Sequence, residues 1–391
     1  MITPFDVGRA RRETPGCEER IHLNNAGAAL MTRRVLDAQI EHLELEGRIG
    51  GYEAAAARAD EIAAVYESLG TLLGTTPGNV ALVENATVAW NQAFGSIPLA
   101  AGDTVITGEV EYGANYVSML KAVAEKGIEI LVAPSDAAGQ IDVDGLAGLI
   151  DERTRLIAVT HVPTNGGLVN PAADIGEVAR RAGVPYLLDC AQSAGQIDLD
   201  VAALGCDFLV GTGRKFLRGP RGTGFLYASD RMLEETEPPV IDHTRARWVA
   251  PDRYEVGADA RRYENWEFNY AAVLGLGAAA EEALAWRVPI VENVVASLAG
   301  SLREKLADAG FEIFDLGDRK CGIVTTAVPG MESTAVRDRL GEQGINVSVT
   351  TAGSTLLDFE RRDLPDLLRL SVHYFNLPAE LDAVVEALGG M

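Results

Sequence analysis

The sequence predicts an α/β fold built on a largely parallel sheet, and three observations carry that prediction. Between residues 80 and 227, short apolar runs alternate with helical patterns, the signature of a sheet covered by helices. The loops after those runs collect Asn, Asp, His, Thr and Gly, as expected where an open α/β sheet binds a ligand outside its carboxyl ends. The chain has 391 residues, more than the ~250 to 300 at which a single core stops growing, so two domains are expected.

Taken in order, residues 21–30, with His22, Asn24, Asn25 and Gly27, read as a short extended segment and a turn. Thr32 caps a helix whose apolar face is Leu36, Ile40 and Leu43 and which Gly47 stops. A second helix covers roughly 54–73. Strands are expected at 80–83, 104–107, 128–132, 156–160, 186–188, 208–210 and 223–227, the last turning back antiparallel, which makes a seven-stranded sheet. Helices near 87–97, 114–125, 144–151, 171–182 and 200–204 separate them. A weakly structured stretch, 234–259, then leads to a long helix at 290–306 with Val291, Val295, Leu298, Leu302 and Leu306 on one face. Short strands at 312–314, 323–327, 346–349 and 370–373 alternate with helices near 333–343 and 378–388, a smaller α/β domain. The expected division is an N-terminal arm at 1–25, a large domain at 26–258 and a small domain at 259–391.

Composition excludes several classes. Thirty-four Lys and Arg stand against 57 Asp and Glu, a formal net charge of −23, which argues against a nucleic-acid partner. Four cysteines, Cys17, Cys190, Cys206 and Cys321, show no Cys-x-x-Cys spacing, so neither structural zinc nor a disulfide framework is expected. The first 19 residues lack the apolar core of a signal peptide. The longest apolar stretch, 271–280, is too short to span a bilayer. A cytoplasmic protein with no membrane association is expected.

One loop stands out. Gly211-Thr212-Gly213-Arg214-Lys215-Phe216-Leu217-Arg218-Gly219-Pro220-Arg221-Gly222-Thr223-Gly224 follows the apolar run Phe208-Leu209-Val210. Lys215 is one of five lysines, and the other four sit among charged residues typical of solvated faces. Glycine lets a backbone approach a ligand closely, so the loop suits a phosphate. The spacing of neither a P-loop nor a Gly-x-Gly-x-x-Gly turn fits. That leaves a Schiff-base lysine or an ordinary loop lysine.

Four other strand ends carry Glu84-Asn85-Ala86-Thr87, Glu109-Val110-Glu111-Tyr112-Gly113-Ala114-Asn115, His161-Val162-Pro163-Thr164-Asn165-Gly166-Gly167 and Asp189-Cys190-Ala191-Gln192. An aldehyde cofactor acting as an electron sink needs a lysine, a carboxylate for its ring nitrogen, a phosphate cradle and a flat group over the ring. The five loops supply each. Taken singly, Asp189 reads equally well as a helix cap, Tyr112 as a core aromatic and His161 as a satisfied strand-end histidine. Their convergence on one sheet edge favours the chemical reading.

At these residues the chain resembles the class V group of fold-type I pyridoxal-phosphate enzymes, relatives of cysteine desulfurase and isopenicillin N epimerase. The resemblance runs from about Leu23 to the final helix. It is most specific at Asp189-x-Ala191-Gln192, Thr212-Gly213-Arg214-Lys215 and Arg369-Leu370-Ser371-Val372. It implies pyridoxal 5′-phosphate bound as an internal aldimine at Lys215, with Asp189 at the pyridinium. It further implies Ala191 and Tyr112 on the two ring faces, Gln192 and Asn165 at the ring oxygen, and Ala86, Thr87, Thr212 and Arg214 at the phosphate. Arg369 is implied to grip the substrate carboxylate, with Asn25 and Tyr52 beside the substrate. A homodimer is implied, with Tyr52 and the Trp266-Glu267 segment reaching towards the partner's cofactor.

The chain departs from the group in four places. Tyr112 stands where histidine often stacks, and Arg214 where histidine often precedes the lysine. The loop at 350–358 holds Ser354 and Thr355 and no cysteine, from which the expectation is that the enzyme is not a cysteine desulfurase. The Arg262-Tyr263-Glu264-Asn265-Trp266-Glu267 segment replaces the usual Gly-Thr contact to a neighbouring subunit's phosphate. The expected reaction removes the Cα proton of an amino acid, with transamination favoured, β-elimination next and epimerisation a further alternative. From another class, a nucleotide- or phosphosugar-binding regulator could use the same glycine loop.

Overall fold

The computed structural model describes residues 5–391; the first four residues of the expected N-terminal arm lie outside it. Fourteen strands occur among the described residues. They are β1 (Ile21–His22), β2 (Val80–Val83), β3 (Thr104–Gly108), β4 (Glu129–Ala133), β5 (Thr154–Thr160), β6 (Tyr186–Asp189), β7 (Phe208–Thr212), β8 (Gly224–Ala228), β9 (Ala246–Ala250), β10 (Arg253–Val256), β11 (Ile323–Thr326), β12 (Ile345–Asn346), β13 (Ser348–Thr350) and β14 (Leu367–Ser371).

The main sheet has seven strands in the order β2-β8-β7-β6-β5-β3-β4. Only β8 runs against the rest, paired with β2 and β7 in antiparallel register. Side chains alternate across it, as strand geometry requires. Tyr186 and Leu188 belong to one apolar cluster, while Leu187 faces the other with Phe208 and Val210. Both faces are therefore buried, the usual state of a parallel sheet. A second region stacks helices on the three-stranded sheet β11-β14-β13, with Val291, Val295, Leu302 and Leu306 of the helix Val288–Asp308 buried against it.

Several expectations are corrected. The helix Arg33–Ile49 is capped by Thr32 but runs past Gly47, and it buries Val35 and His42. Ile40 and Leu43 are 44% and 56% exposed, because the face turned inward is the one meeting the helix Tyr270–Trp286, through Thr32 to Glu282 (2.8 Å) and His42 beside Tyr270. The expected helix at 54–73 is two, Gly51–Ala57 and Ala59–Leu73, parted at Arg58. The stretch read as weakly structured contains the hairpin β9-β10, with Trp248 opposite Tyr254. No strand forms at 312–314, where Ile313 makes a single bridge to Thr326. The expected strand at 346–349 divides, its first part pairing with β1 and its second with β14. The last strand begins three residues earlier than expected, at Leu367.

Ala10, Cys17 and Leu23 of the N-terminal segment are buried with the C-terminal cluster. None of the helices among the described residues is long and apolar enough to cross a membrane.

Candidate active site

The parallel strands deliver their carboxyl ends to one side of the sheet, and a cavity of about 400 Å³ opens there. Every one of the five loops contributes to its wall: Ala86 and Thr87, Tyr112 and Asn115, Val162 and Thr164, Asp189, Ala191 and Gln192, and Thr212, Arg214 and Lys215. A roomier groove of about 750 Å³ lies along the helix Arg33–Ile49, lined by opposed Arg and Glu side chains and no nucleophile. The chemistry resides in the smaller cavity.

Lys215 enters it from a loop held at many points. Gly219 N–H donates to Gly213 O (2.7 Å), Arg218 N–H to Lys215 O (2.9 Å), and Ala29 N–H to Arg214 O (2.8 Å). Arg218 adopts φ 64°, and its buried guanidinium donates to Leu30 O (2.8 Å), Tyr374 Oη (2.5 Å) and Thr14 Oγ1 (2.6 Å). Gly195, at φ 92°, passes so close that a Cβ there would lie 2.3 Å from Phe216 O. Only glycine fits that position. Burial, reinforced by Arg214 and Arg369, pushes the Lys215 amine down to about 7 despite the opposing pull of Asp189. An amine held there is largely neutral, and hence nucleophilic, just above neutral pH.

Asp189 ends β6 and is 6% exposed. Its Oδ1 accepts from Ala191 N–H (2.8 Å) and its Oδ2 from Asn115 Nδ2 (2.8 Å). The helix Ala86–Ser96 brings its N-terminus, through Ala86 and Thr87, to the cavity wall. Asn85 caps it through Val88 N–H (3.0 Å), leaving the Ala86 and Thr87 amides free for an anion. Gly224 permits this approach, since a Cβ there would lie 2.7 Å from the Asn85 backbone.

Arg369 lies on β14 and reaches the cavity wall by donating from Nη1 to Thr164 O (3.0 Å) and Thr164 Oγ1 (2.6 Å). Burial, then Arg214, lowers it to about 10. Gln192 Nε2 meets Ala26 O (3.1 Å) and Thr164 Oγ1 (3.3 Å). His161 is buried, held neutral with its value pushed down to about 3, and its Nδ1 lies 3.0 Å from Ser193 Oγ.

Four expected site residues do not line this chain's cavity, and two of them, Tyr52 and Trp266, are the ones expected to reach towards a partner's cofactor. Asn165 turns from the cavity to donate to Asp358 Oδ2 (2.7 Å), and the neighbouring Thr164 lines the wall instead. Trp266 and Tyr52 stack on each other, centroids 6.3 Å apart, 48% and 69% exposed and outside the cavity. Asn25 is fully buried and donates to Ser371 O (2.7 Å), pinning the N-terminal segment to β14. The site also contains residues that sequence reasoning passed over. Glu111 and Asn115 were visible only as members of a polar loop, and Thr160 only as a strand end.

The walls fit a phosphorylated pyridine aldehyde. Arg214 Nη1, Gln192 Oε1 and Arg369 Nε are buried with no hydrogen-bond partner among the described residues, and unmet polar groups of this kind call for a polar ligand. The unmet guanidinium and the free helix amides suit a phosphate, the neutral lysine suits a carbonyl, and Asp189 suits a ring nitrogen. No cluster of His, Cys, Asp or Glu able to hold a metal occurs among the described residues.

Fold and cavity together define a fold-type I pyridoxal-phosphate enzyme, and the cofactor is pyridoxal 5′-phosphate. The chain belongs to the aminotransferase class-V family, whose model matches residues 21–384. It is 28% identical to a cysteine desulfurase of Yersinia pestis, over 98% of each chain. It is 25% identical to a probable cysteine desulfurase of Methanothermobacter thermautotrophicus, over 97% of this chain and 96% of the other. The apo structure of a cysteine desulfurase from Thermococcus onnurineus superposes with a TM-score of 0.92 at 21% identity, covering 100% of this chain and 99% of that one.

These relatives overturn the expectation that the protein is not a cysteine desulfurase. That exclusion rested on Ser354 and Thr355 in a single loop. One loop bears on where a sulfur acceptor sits, whereas relatedness along the full chain bears on the whole site.

Proposed function

We propose that the protein cleaves the carbon–sulfur bond of a cysteine-type amino acid with pyridoxal phosphate as its cofactor. The observation that supports this most is the full-length relationship to cysteine desulfurases, joined to a cavity whose lysine amine is held near neutrality. When bound, the cofactor supplies an electron sink for the pair left at Cα as the proton departs. The protein supplies the rest. Arg214, Thr212 and the Ala86 and Thr87 amides hold the phosphate. Asp189 would face the ring nitrogen and favour its charged form. Tyr112, Ala191, Gln192 and Thr164, which line the cavity, would confine the ring and meet its oxygen. Arg369 takes the substrate carboxylate, and the Lys215 amine carries the proton to and from Cα.

The enzyme works as a homodimer. Ile40, Leu43, Ile49, Tyr52 and Trp266 are large apolar side chains left 44% to 69% exposed, and a second subunit covers them. Tyr52 and Trp266 then face the partner's site. Sedimentation at micromolar concentration tests this, and a fully active monomer refutes it.

Incubation with cysteine, cystine and other amino acids, with and without a keto acid, tests the reaction. Sulfur release from cysteine or cystine, accompanied by alanine or by pyruvate and ammonia, supports the proposal, and the carbon product identifies where the sulfur goes. Amino transfer to the keto acid with no sulfur released from either substrate defeats it.

A further inference from the structure

Asn115 stands between two buried carboxylates. Its Nδ2 lies 2.8 Å from Asp189 Oδ2 and 2.8 Å from Glu111 Oε1, so both amide hydrogens are committed. Glu111 is 5% exposed and has no ion-pair partner among the described residues. It accepts instead from Thr160 Oγ1 (2.5 Å), Thr160 N–H (2.9 Å), Tyr112 N–H (3.0 Å) and Thr107 Oγ1 (3.1 Å). With Asn115 that makes five donors on one side chain, a set that suits a carboxylate.

A buried carboxylate without a cation is a poor structural choice, because burying a charge costs free energy that neutral donors only partly offset. Burial and the nearby Asp189 push Glu111 up to about 7 against those donors. The cost is incurred at a telling place. Glu111 and Tyr112 follow β3, Thr160 ends β5, Asp189 ends β6, and Asn115 lies in the first turn of the helix Gly113–Lys126. The network thus ties together three strand ends that build the cavity.

We propose that Glu111 and Asn115 are positioning residues for Asp189: Glu111 orients the Asn115 amide, which fixes Asp189 Oδ2 so that the carboxylate presents its remaining lone pairs to the cofactor's ring nitrogen. Ala191 N–H fixes the other oxygen. In its ionised form, Glu111 behind Asp189 would also favour a proton on the ring nitrogen that Asp189 would face. The inference rests on the assignment of Asp189 to that nitrogen.

The test measures pyridoxal-phosphate affinity by titrating apoprotein, together with the visible circular dichroism of the bound cofactor. Glu111→Gln is expected to weaken binding about tenfold and to alter the dichroism. In an Asp189→Asn background the same change is expected to alter affinity less than about twofold, because an effect relayed through Asp189 has no route left. If Glu111→Gln does not fold, Asn115→Ala, which buries no new polar group, carries the same comparison. Equal losses in both backgrounds, or no loss in either, overturn the relay. Altered affinity and dichroism in Asp189→Asn with neither altered in Glu111→Gln removes the relay alone. An Asp189→Asn protein unchanged in both readouts removes the assignment of Asp189 and the relay with it.

Discussion

Arg369 donates from one nitrogen to both the carbonyl (3.0 Å) and the hydroxyl (2.6 Å) of Thr164. That contact joins β14 of the small sheet to the loop after β5 of the large one, and it leaves Arg369 Nε buried without a partner among the described residues. A guanidinium so held offers a planar, two-point surface for a carboxylate that an ammonium cannot reproduce. Arg369→Lys is therefore expected to raise KM for the amino-acid substrate about 10- to 100-fold while leaving the cofactor's absorbance unchanged. Steady-state kinetics decide it; an unchanged KM moves the carboxylate site elsewhere.

Lys215 makes stability depend on pH. Burial lowers its pKa in the folded state to about 7 from an ordinary value of 10.5. Below pH 7 both folded and unfolded chains hold the charge, and the folded state bears the full cost of burying it. Between about 7 and 10.5 the unfolded chain binds more protons than the folded one, so stability rises with pH. Apo Lys215→Met is expected to exceed apo wild type in unfolding free energy at pH 6, with the gap narrowing by pH 9. Denaturant melts of the two apoproteins check this, and a constant gap contradicts it.

Asp189→Asn preserves shape and removes a charge. Cofactor binding is expected to survive, weakened. Exchange of the substrate's Cα proton, measured by NMR in deuterated water at saturating cofactor, is expected to fall by a factor on the order of 100 or more, since a lost charge–charge contact in a dry site costs several kcal/mol. Near-normal exchange takes Asp189 out of the mechanism.

Gly195 is the point of closest backbone packing against the lysine loop. Gly195→Ala sets a Cβ 2.3 Å from Phe216 O and 2.4 Å from Leu217 N at φ 92°. The expected loss is about 2 to 4 kcal/mol of stability, from strain and overpacking together. Thermal unfolding of the apoprotein measures it. A variant that melts within a degree of wild type shows that the loop yields.

The seven strands of the main sheet and the loop around Lys215 were legible in the sequence because their causes are local. Apolar runs of strand length between turn residues mark a buried parallel sheet, and glycines mark places where backbone must bend or approach. The seventh strand's reversal was also readable, since too few residues separate Thr212 from Gly224 for a helical crossover. The helix Arg33–Ile49 was found by its period, yet the period misassigned its inward face. Leu36, Ile40 and Leu43 form a good apolar stripe, and only the packing of Tyr270–Trp286 onto Val35 and His42 determines that Ile40 and Leu43 remain exposed.

The hairpin β9-β10 escaped because its large apolar side chains, Trp248 and Tyr254, stay exposed and only Ala246 is fully buried, so no alternating buried face marks it. In the site, Asp189 and Lys215 stood out by residue type and placement, whereas the turn of Asn165 towards Asp358 and the bridge from Glu111 through Asn115 to Asp189 did not. Those depend on side chains 193 and 74 residues apart meeting at hydrogen-bond distance, and no local pattern records such a meeting. The sequence by itself determined the sheet, the lysine and the cofactor's chemical class. Tertiary structure alone decided which polar groups complete the site, because burial and hydrogen-bond partnership are properties of the packed molecule.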